Sequence, residues 1–217
     1  MELLILRLEG MLQSWGEQAK WDERDTAYFP TKSGVVGLLA CCLGYERGDA
    51  RTEKLSDELF ISVRADRAGK LMTDFHTVQG SPAVMNAEGK PRGGGRTFIT
   101  RRAYLQDASF LVVISGSSAT LKLCAEALRN PMWTPFLGRR SCTPSMPIFL
   151  ELTGRFDNDE DAIRNYPRVA RSDTRTLYQL ERTDGEGTRT DRLMASADRI
   201  FSTRRVSAIG VLEEAKS

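Results

Sequence analysis

The alternation of apolar and polar positions divides the chain into short regular elements separated by two long aperiodic stretches. Residues 3–8 are an aliphatic run closed by Glu9 and Gly10, which predicts a buried central strand. Residues 11–34 have no clear period, and a loop of that length in a compact domain is usually functional or partner-bound. Ser33 is the predicted N-cap of a helix over 34–43, apolar nearly all round and therefore buried, with Gly44 as its C-cap. Residues 59–65 alternate as a strand, and 71–78 read as its neighbour after a turn at Ala68 and Gly69. Residues 80–95 carry Pro82, Pro91 and the glycine run 93–95 and lose all periodicity, as the tip of a protruding hairpin or thumb would. Period 2 returns at Arg96, with Phe98, Thr100, Arg102 and Tyr104 on one face and Thr97, Ile99, Arg101 and Ala103 on the other. Residues 110–115 predict a core strand. A helix then starts at Ser117 or Ser118 and runs to about Arg129, with Leu121, Cys124, Ala125 and Leu128 on one stripe. Residues 148–152 form the next strand.

The resulting order is β-α-β-β-(excursion)-β-α-loop-β. Without the excursion this predicts an α+β fold of ferredoxin-like (RRM-like) β-α-β-β-α-β type, the architecture of RNA-recognition motifs, although the aromatic signature of those motifs is absent. After Thr153 the composition shifts. Residues 157–161 read as an acidic, solvated turn, arginines become frequent, and short strands are predicted only around 175–180 and 205–212. The expected organisation is a domain over 1–153, with a thumb insertion at about 80–103, and a small, mostly β C-terminal region over 154–217.

Composition narrows the function class. The 217 residues are 41% hydrophobic and 28% charged, ordinary values for a soluble globular chain, and a net charge of +2 does not by itself demand an acidic partner. The distribution says more: between residues 89 and 106 stand Lys90, Arg92, Arg96, Arg101 and Arg102 with no acid among them. Such a segment is the usual footprint of phosphate contact, or a solvated face. Cys41, Cys42, Cys124 and Cys142 form no C-x-x-C pair and, with the one histidine, His76, offer no zinc-ligand spacing. Buried free thiols in a reducing cytoplasm are expected. No cofactor or metal is expected, and neither a signal peptide nor a membrane span.

Candidate chemistry centres on PFLGRRSC at 135–142. Pro135 ends a regular element, Gly138 allows a sharp turn at positive φ, and Arg139 and Arg140 have no acid nearby in sequence. Two guanidiniums beside free backbone amides make an anion-binding loop, or a surface turn whose arginines pair with distant carboxylates. Lys32 and Ser33 at a helix start form a second anion site, though TKSG lacks the glycine spacing of a Walker loop, so no nucleotide hydrolysis is expected. Trp15, Trp21, Tyr28 and Phe29 either stack on bases or fold the loop onto the core. The strand face bearing Arg102 between Phe98 and Tyr104 suits RNA, or is an exposed hairpin arm with scattered charge.

These residues together resemble the CasD family of type I-E CRISPR Cascade subunits, within the RAMP superfamily. The matching segments are LILRLEGMLQSWG (4–16), FPTKSGVVGLLACCLG (29–44), DFHTVQG (74–80), YLQDASF (104–110) and PFLGRRSC (135–142), in the family's order and spacing. The C-terminal third matches poorly. The resemblance implies a non-enzymatic subunit in a prokaryotic cytoplasm that grips the five-prime handle of the crRNA and caps the backbone filament. It also implies contacts with the backbone subunits and the large PAM-recognising subunit, with target DNA met through the assembled complex, and no membrane association. Lys32, Ser33, Arg102, Gly138, Arg139 and Arg140 would converge as a groove for the hooked strand, with Gln13, Ser14 and Trp15 as further handle contacts. Arg96, Arg101, Tyr104 and Ser141 complete the expected RNA-binding set. The competing class is a metal-free endoribonuclease processing precursor crRNA, for which His76, with a tyrosine or lysine as helper, supplies the candidate acid–base group.

Overall fold

A computed structural model describes residues 1–18, 22–78, 84–85, 89–92, 97–169, 173, 175–195 and 198–213. The chain opens with β1 (Leu3–Gln13), the two-residue β2 (Glu23–Arg24), α1 (Lys32–Leu43) and α2 (Ala50–Glu58). Next come β3 (Phe60–Arg67), β4 (Lys70–Val78), the short β5 (Val84–Met85) and β6 (Pro91–Arg92), and the 18-residue β7 (Phe98–Ser115). The remainder is α3 (Ser118–Arg129), β8 (Phe149–Thr153), α4 (Asp159–Asn165), β9 (Arg175–Gln179), β10 (Gly187–Ala195), β11 (Ile200–Val206) and β12 (Gly210–Glu213).

The main sheet runs β12-β9-β3-β7-β1-β8, every neighbour antiparallel. Its central strands are buried on both faces, which is why 3–8 and 110–115 are continuous apolar runs rather than alternating ones. Leu4, Leu6, Leu8, Ile61, Val63, Phe110 and Val112 face α1 and α3, while Leu3, Ile5, Leu111 and Val113 meet Phe156, Ala162, Ile163 and Leu180 on the other side. The C-terminal segment therefore covers the second face of the central strands and extends the sheet edge through β9 and β12.

β4 does not pair with β3, contrary to the turn expected at Ala68 and Gly69. Both strands pair with β7 in nearly continuous register, β3 against Ser109–Ser115 and β4 against Phe98–Gln106. Gly69 at φ +77° and Asp107 at φ +55° form an irregularity inside the ribbon, and a side chain at Gly69 would meet the Gln106 carbonyl oxygen at 2.8 Å. The apparent turn is a kink in a ribbon roughly 60 Å long, by strand rise. Two helices also depart from the sequence pattern. α2 is mostly charged and shows no apolar period, and the acidic 157–161 segment opens α4, capped by Asn158 accepting from the Asp161 amide at 2.9 Å. α3 begins and ends where the pattern places it, with Ser117 as its N-cap.

The face under α4 holds charge as well as apolar side chains. Asp66, without solvent access, accepts from Arg7 and from Arg64, each at 2.5 Å. The fully buried Arg64 guanidinium also donates to the carbonyls of Ile163 (2.5 Å) and Tyr166 (2.9 Å), tying the α4 segment to the sheet.

Asp66→Ala would leave two buried guanidiniums without their counter-charge. A loss of about 3–5 kcal/mol in urea unfolding is expected. All four cysteines are free, and burial pushes the Cys42 and Cys124 thiols up from 9.0 to about 12. Their folded-state pKa is raised, so their stabilisation is complete below about pH 8.5 and is lost as pH rises through the folded value, by up to about 1.4 kcal/mol per pH unit for each thiol. Urea titrations between pH 8 and 10 should show a decline that the Cys42→Ala/Cys124→Ala variant flattens.

Candidate nucleic-acid interface

The α1 N-terminus is where an anion would be sought, and the chain supplies its own. Thr31, not Ser33, is the N-cap, its hydroxyl accepting from the Gly34 amide at 3.1 Å. The Lys32 amide donates to the buried carboxylate of Asp191 at 2.8 Å. The Lys32 ammonium lies 2.6 Å from Glu181, and Arg204 joins the two acids, 2.6 Å from Asp191 and 3.2 Å from Glu181. All four side chains are buried. Burial lowers the Lys32 pKa despite Glu181, with Arg204 and Arg192 adding to the lowering. Burial alone would raise Asp191, but the Arg204 hydrogen bonds and charge, the Arg189 charge and the Lys32 amide outweigh it and hold its carboxyl below the usual range. Lys32 is thus an internal ion-pair partner and not a free cation, a correction to the groove expected from sequence. Gly44 closes α1 in the left-handed conformation, as its position suggests.

The Gln13–Ser14–Trp15 segment is also internal. The Gln13 side-chain amide donates to the carbonyls of Leu8 (3.1 Å) and Ala108 (2.8 Å) and accepts from the Trp15 indole at 3.1 Å. The Ser14 hydroxyl donates to the Ala103 carbonyl at 3.2 Å, and Trp15 is a core residue. Of the aromatics in the long loop, Phe29 joins the core, Tyr28 is exposed, and Trp21 lies outside the described residues.

The PFLGRRSC loop packs on this segment. The Ser14 amide donates to the Leu137 carbonyl at 3.1 Å, and Gly138 sits at φ +86° with its α-carbon so close to Ser14 that a side chain would lie 1.7 Å from the Ser14 carbonyl oxygen. The turn expected at Gly138 is therefore present, and no other residue fits it. Its two arginines differ. Arg139 stacks 4.7 Å from the buried Tyr104 ring and donates to the carbonyls of Arg24 (3.1 Å) and Asp25 (3.2 Å), leaving its buried Nη1 without a partner among the described residues. Arg140 is exposed, beside the Cys41 thiol, whose pKa burial raises and Arg140 lowers. Ser141 is exposed next to it.

Between this loop and the C-terminal β-hairpin lies an open groove of about 1510 Å³. Its floor is the outer face of α1, where Ser33, Gly34, Gly37 and Cys41 keep the side chains small, and a Cβ at Gly37 would touch nothing within 4 Å. Arg24, Arg47, Arg139, Arg140 and Arg199 line it, against Glu17, Asp25 and Glu46. Glu17 is already neutralised by Arg189 at 2.6 Å. Trp133 and Phe201 add aromatic surface, 44% and 36% exposed. Arg47, Trp133, Arg199 and Phe201 were not legible as site residues. Residues 47, 133 and 199–201 are far apart in sequence, and only the fold brings them together.

The ribbon carries the other expected residues. Arg101 is exposed across from Phe75, its guanidinium 5.9 Å from that ring, and Arg102 is half-buried across from Asp74, donating to Thr100 at 3.4 Å. The face of Thr100, Arg102 and Tyr104 is the more covered one, so Tyr104 is a platform for Arg139 and not a surface for bases. Arg96 lies outside the described residues. His76 is 2.8 Å from Asp74 on β4 and does not line the groove. No group of three or more potential metal ligands converges among the described residues, and no helix among them is long and apolar enough to cross a membrane.

Comparison with known proteins adds an independent line. The model of the family CRISPR-associated protein (Cas_Cas5) matches residues 3–207. The "CRISPR system Cascade subunit CasD" of Escherichia coli (strain K12) is 33% identical, with 93% of this chain and 92% of that protein aligned. The solved structure "Crystal structure of Cas protein" superposes with a TM-score of 0.77 at 34% identity, covering 98% of this chain and 95% of that one. A chain of "CRISPR RNA-guided surveillance complex" gives 0.76 at 31% identity, covering 97% and 90%.

The two loop arginines should separate in thermal unfolding. Arg139→Ala removes the contact with Tyr104 and the bonds to the Arg24 and Asp25 carbonyls and should lower Tm by several degrees. Arg140→Ala, on the exposed side of the same loop, should leave Tm within about 1 °C.

Proposed function

The chain belongs to the Cas5 family of CRISPR-associated proteins, and from that premise we propose that it is the CasD-type subunit of a type I-E Cascade surveillance complex. In this reading it grips the five-prime handle of the crRNA and caps the backbone filament in a prokaryotic cytoplasm. Its partners are the backbone subunits and the large PAM-recognising subunit, and target DNA is met through the assembled complex. The observation that carries the reading is the basic groove over α1, with Arg140 exposed on one wall and open floor at Gly37. A single strand bent into such a groove offers phosphates to guanidiniums and base faces to exposed aromatic rings.

The strand order β3-β7-β1-β8, with helices between β1 and β3 and between β7 and β8, supports a ferredoxin-like core for residues 1–153. The thumb expected at about 80–103 falls partly outside the described residues, and the β4–β7 ribbon is the arm that carries it, with Arg101 and Arg102 on its two faces for RNA emerging from the groove. The RNA-binding set thereby contracts to Ser33, Arg101, Arg102, Arg139, Arg140 and Ser141 around Gly138. Gln13, Ser14, Trp15, Lys32 and Tyr104 support these residues from beneath.

The subunit role needs no catalysis. An endoribonuclease would need a base and an acid beside the bound strand. His76 and Asp74 instead sit together on the ribbon, outside the groove that carries the cationic groups.

The test is a labelled single-stranded RNA carrying the source genome's CRISPR repeat, run with the purified chain on native and denaturing gels. A shift of intact RNA, competed poorly by a scrambled repeat, is expected. Arg140→Ala should weaken binding about tenfold and lower the log–log salt slope by about 0.7, one phosphate's share for a single strand. Unchanged binding in that variant overturns the groove as the handle site. A discrete cut that His76→Ala abolishes would move the chain to the nuclease class.

A further inference from the structure

The groove has a second wall, built by the part of the chain whose sequence says least. The β10–β11 hairpin is bolted to α1 at its first residue, where Asp191 accepts from the Lys32 amide, and to α2, where the Leu193 amide donates to the Ser56 hydroxyl at 3.1 Å and Arg192 meets Asp57 at 2.7 Å. Arg189 fixes it to the long loop through Glu17 and the carbonyls of Phe29 (3.3 Å) and Pro30 (3.2 Å). The opposite wall is tied to the last turn of α1, where the Met132 amide donates to the Cys42 carbonyl at 2.9 Å and the Cys41 thiol lies within 3.7 Å of the Trp133 carbonyl oxygen. Two walls are thus held at opposite ends of one helix, and each carries a half-exposed aromatic residue and an arginine into the space between.

On the hairpin these are Phe201 and Arg199. Phe201 pairs directly with Leu193, which is buried, so both side chains lie on the hairpin face that turns inward to the groove. The Phe201 ring is nonetheless left 36% exposed on a wall that hydrogen bonds hold to α1 and α2. Arg199 stands at φ +54° beside it and lines the same groove. We infer that the C-terminal hairpin is the second jaw of the RNA groove, with Phe201 stacking on a nucleobase of the bound single strand and Arg199 holding an adjacent phosphate. The occupant follows from charge and surface together: guanidiniums for a polyanion and flat apolar faces on both walls for bases, over a helix floor of mostly small side chains.

The inference rests on the reading of the groove as an RNA site, and the experiment separates the two. Fluorescence anisotropy with the same labelled repeat RNA is measured for the full chain, Phe201→Ala, Phe201→Trp, Arg199→Ala and Arg140→Ala, each checked for an unchanged Tm. Phe201→Ala should weaken binding about tenfold while Phe201→Trp retains it. Arg199→Ala should lower the salt slope by about 0.7. A scan of single abasic substitutions along the RNA should find one position at which wild type and Phe201→Ala bind alike, a coupling that a merely structural phenylalanine would not produce. If Phe201→Ala unfolds, Arg199→Ala and Phe201→Trp still decide the matter. Wild-type affinity in Arg199→Ala and Phe201→Ala, with Arg140→Ala weakened, overturns the jaw alone. A wild-type chain that binds no RNA overturns the groove reading and the jaw with it.

Discussion

Four charged side chains, Lys32, Glu181, Arg204 and Asp191, sit buried against one another at the start of α1, and the groove exists because of them. Burying an ion is costly unless its partner is present, so the quartet is an all-or-none arrangement. Either the C-terminal strands lie against α1 and every charge is matched, or they do not and several are stranded. The groove inherits that definiteness. Its two walls come from segments distant in sequence, and their spacing is set by a helix whose two ends are each bonded to one wall.

The same economy of contacts holds in the sheet. β7 serves as partner to β1 on one side and to β3 and β4 on the other, so the core and the protruding ribbon share one ladder of hydrogen bonds. Arg139 links this ladder to the groove, because its guanidinium rests on Tyr104 of β7 while holding the carbonyls of the long loop. The exposed Arg140 is positioned by a neighbour that is itself half-buried.

Much of this was legible in the sequence. The central strands and α3 follow from apolar runs and a serine cap, α1 from its apolar run and the Gly44 C-cap though not from its N-cap, and the turn at Gly138 from a glycine after a proline-led loop. Arginine-rich segments without local acids pointed toward the groove and the ribbon. What was not legible depended on partners far along the chain. Lys32 reads as a free cation until Glu181, 149 residues later, is placed beside it. Trp15 reads as a candidate for stacking until the loop folds inward. The turn at Gly69 reads as a hairpin because period 2 breaks there, and a kink within a continuing ribbon breaks it in the same way. α2 has too few apolar positions to declare itself, and the C-terminal hairpin hides its covered face because Asp191 and Arg204 stand on it beside Leu193 and Val206.

The separation between Lys32 and its counter-charges also sets an order of events during synthesis. A ribosome adds about 5–20 residues per second, so the start of α1 emerges many seconds before Glu181 and Asp191. Through that interval the Lys32 ammonium lacks its buried counter-charge and remains in water. Phe156, Ala162, Ile163 and Leu180 must follow before the Leu3, Ile5, Leu111 and Val113 face of the sheet is covered. β10 and β11 complete the start of α1, and the groove forms only once they have emerged.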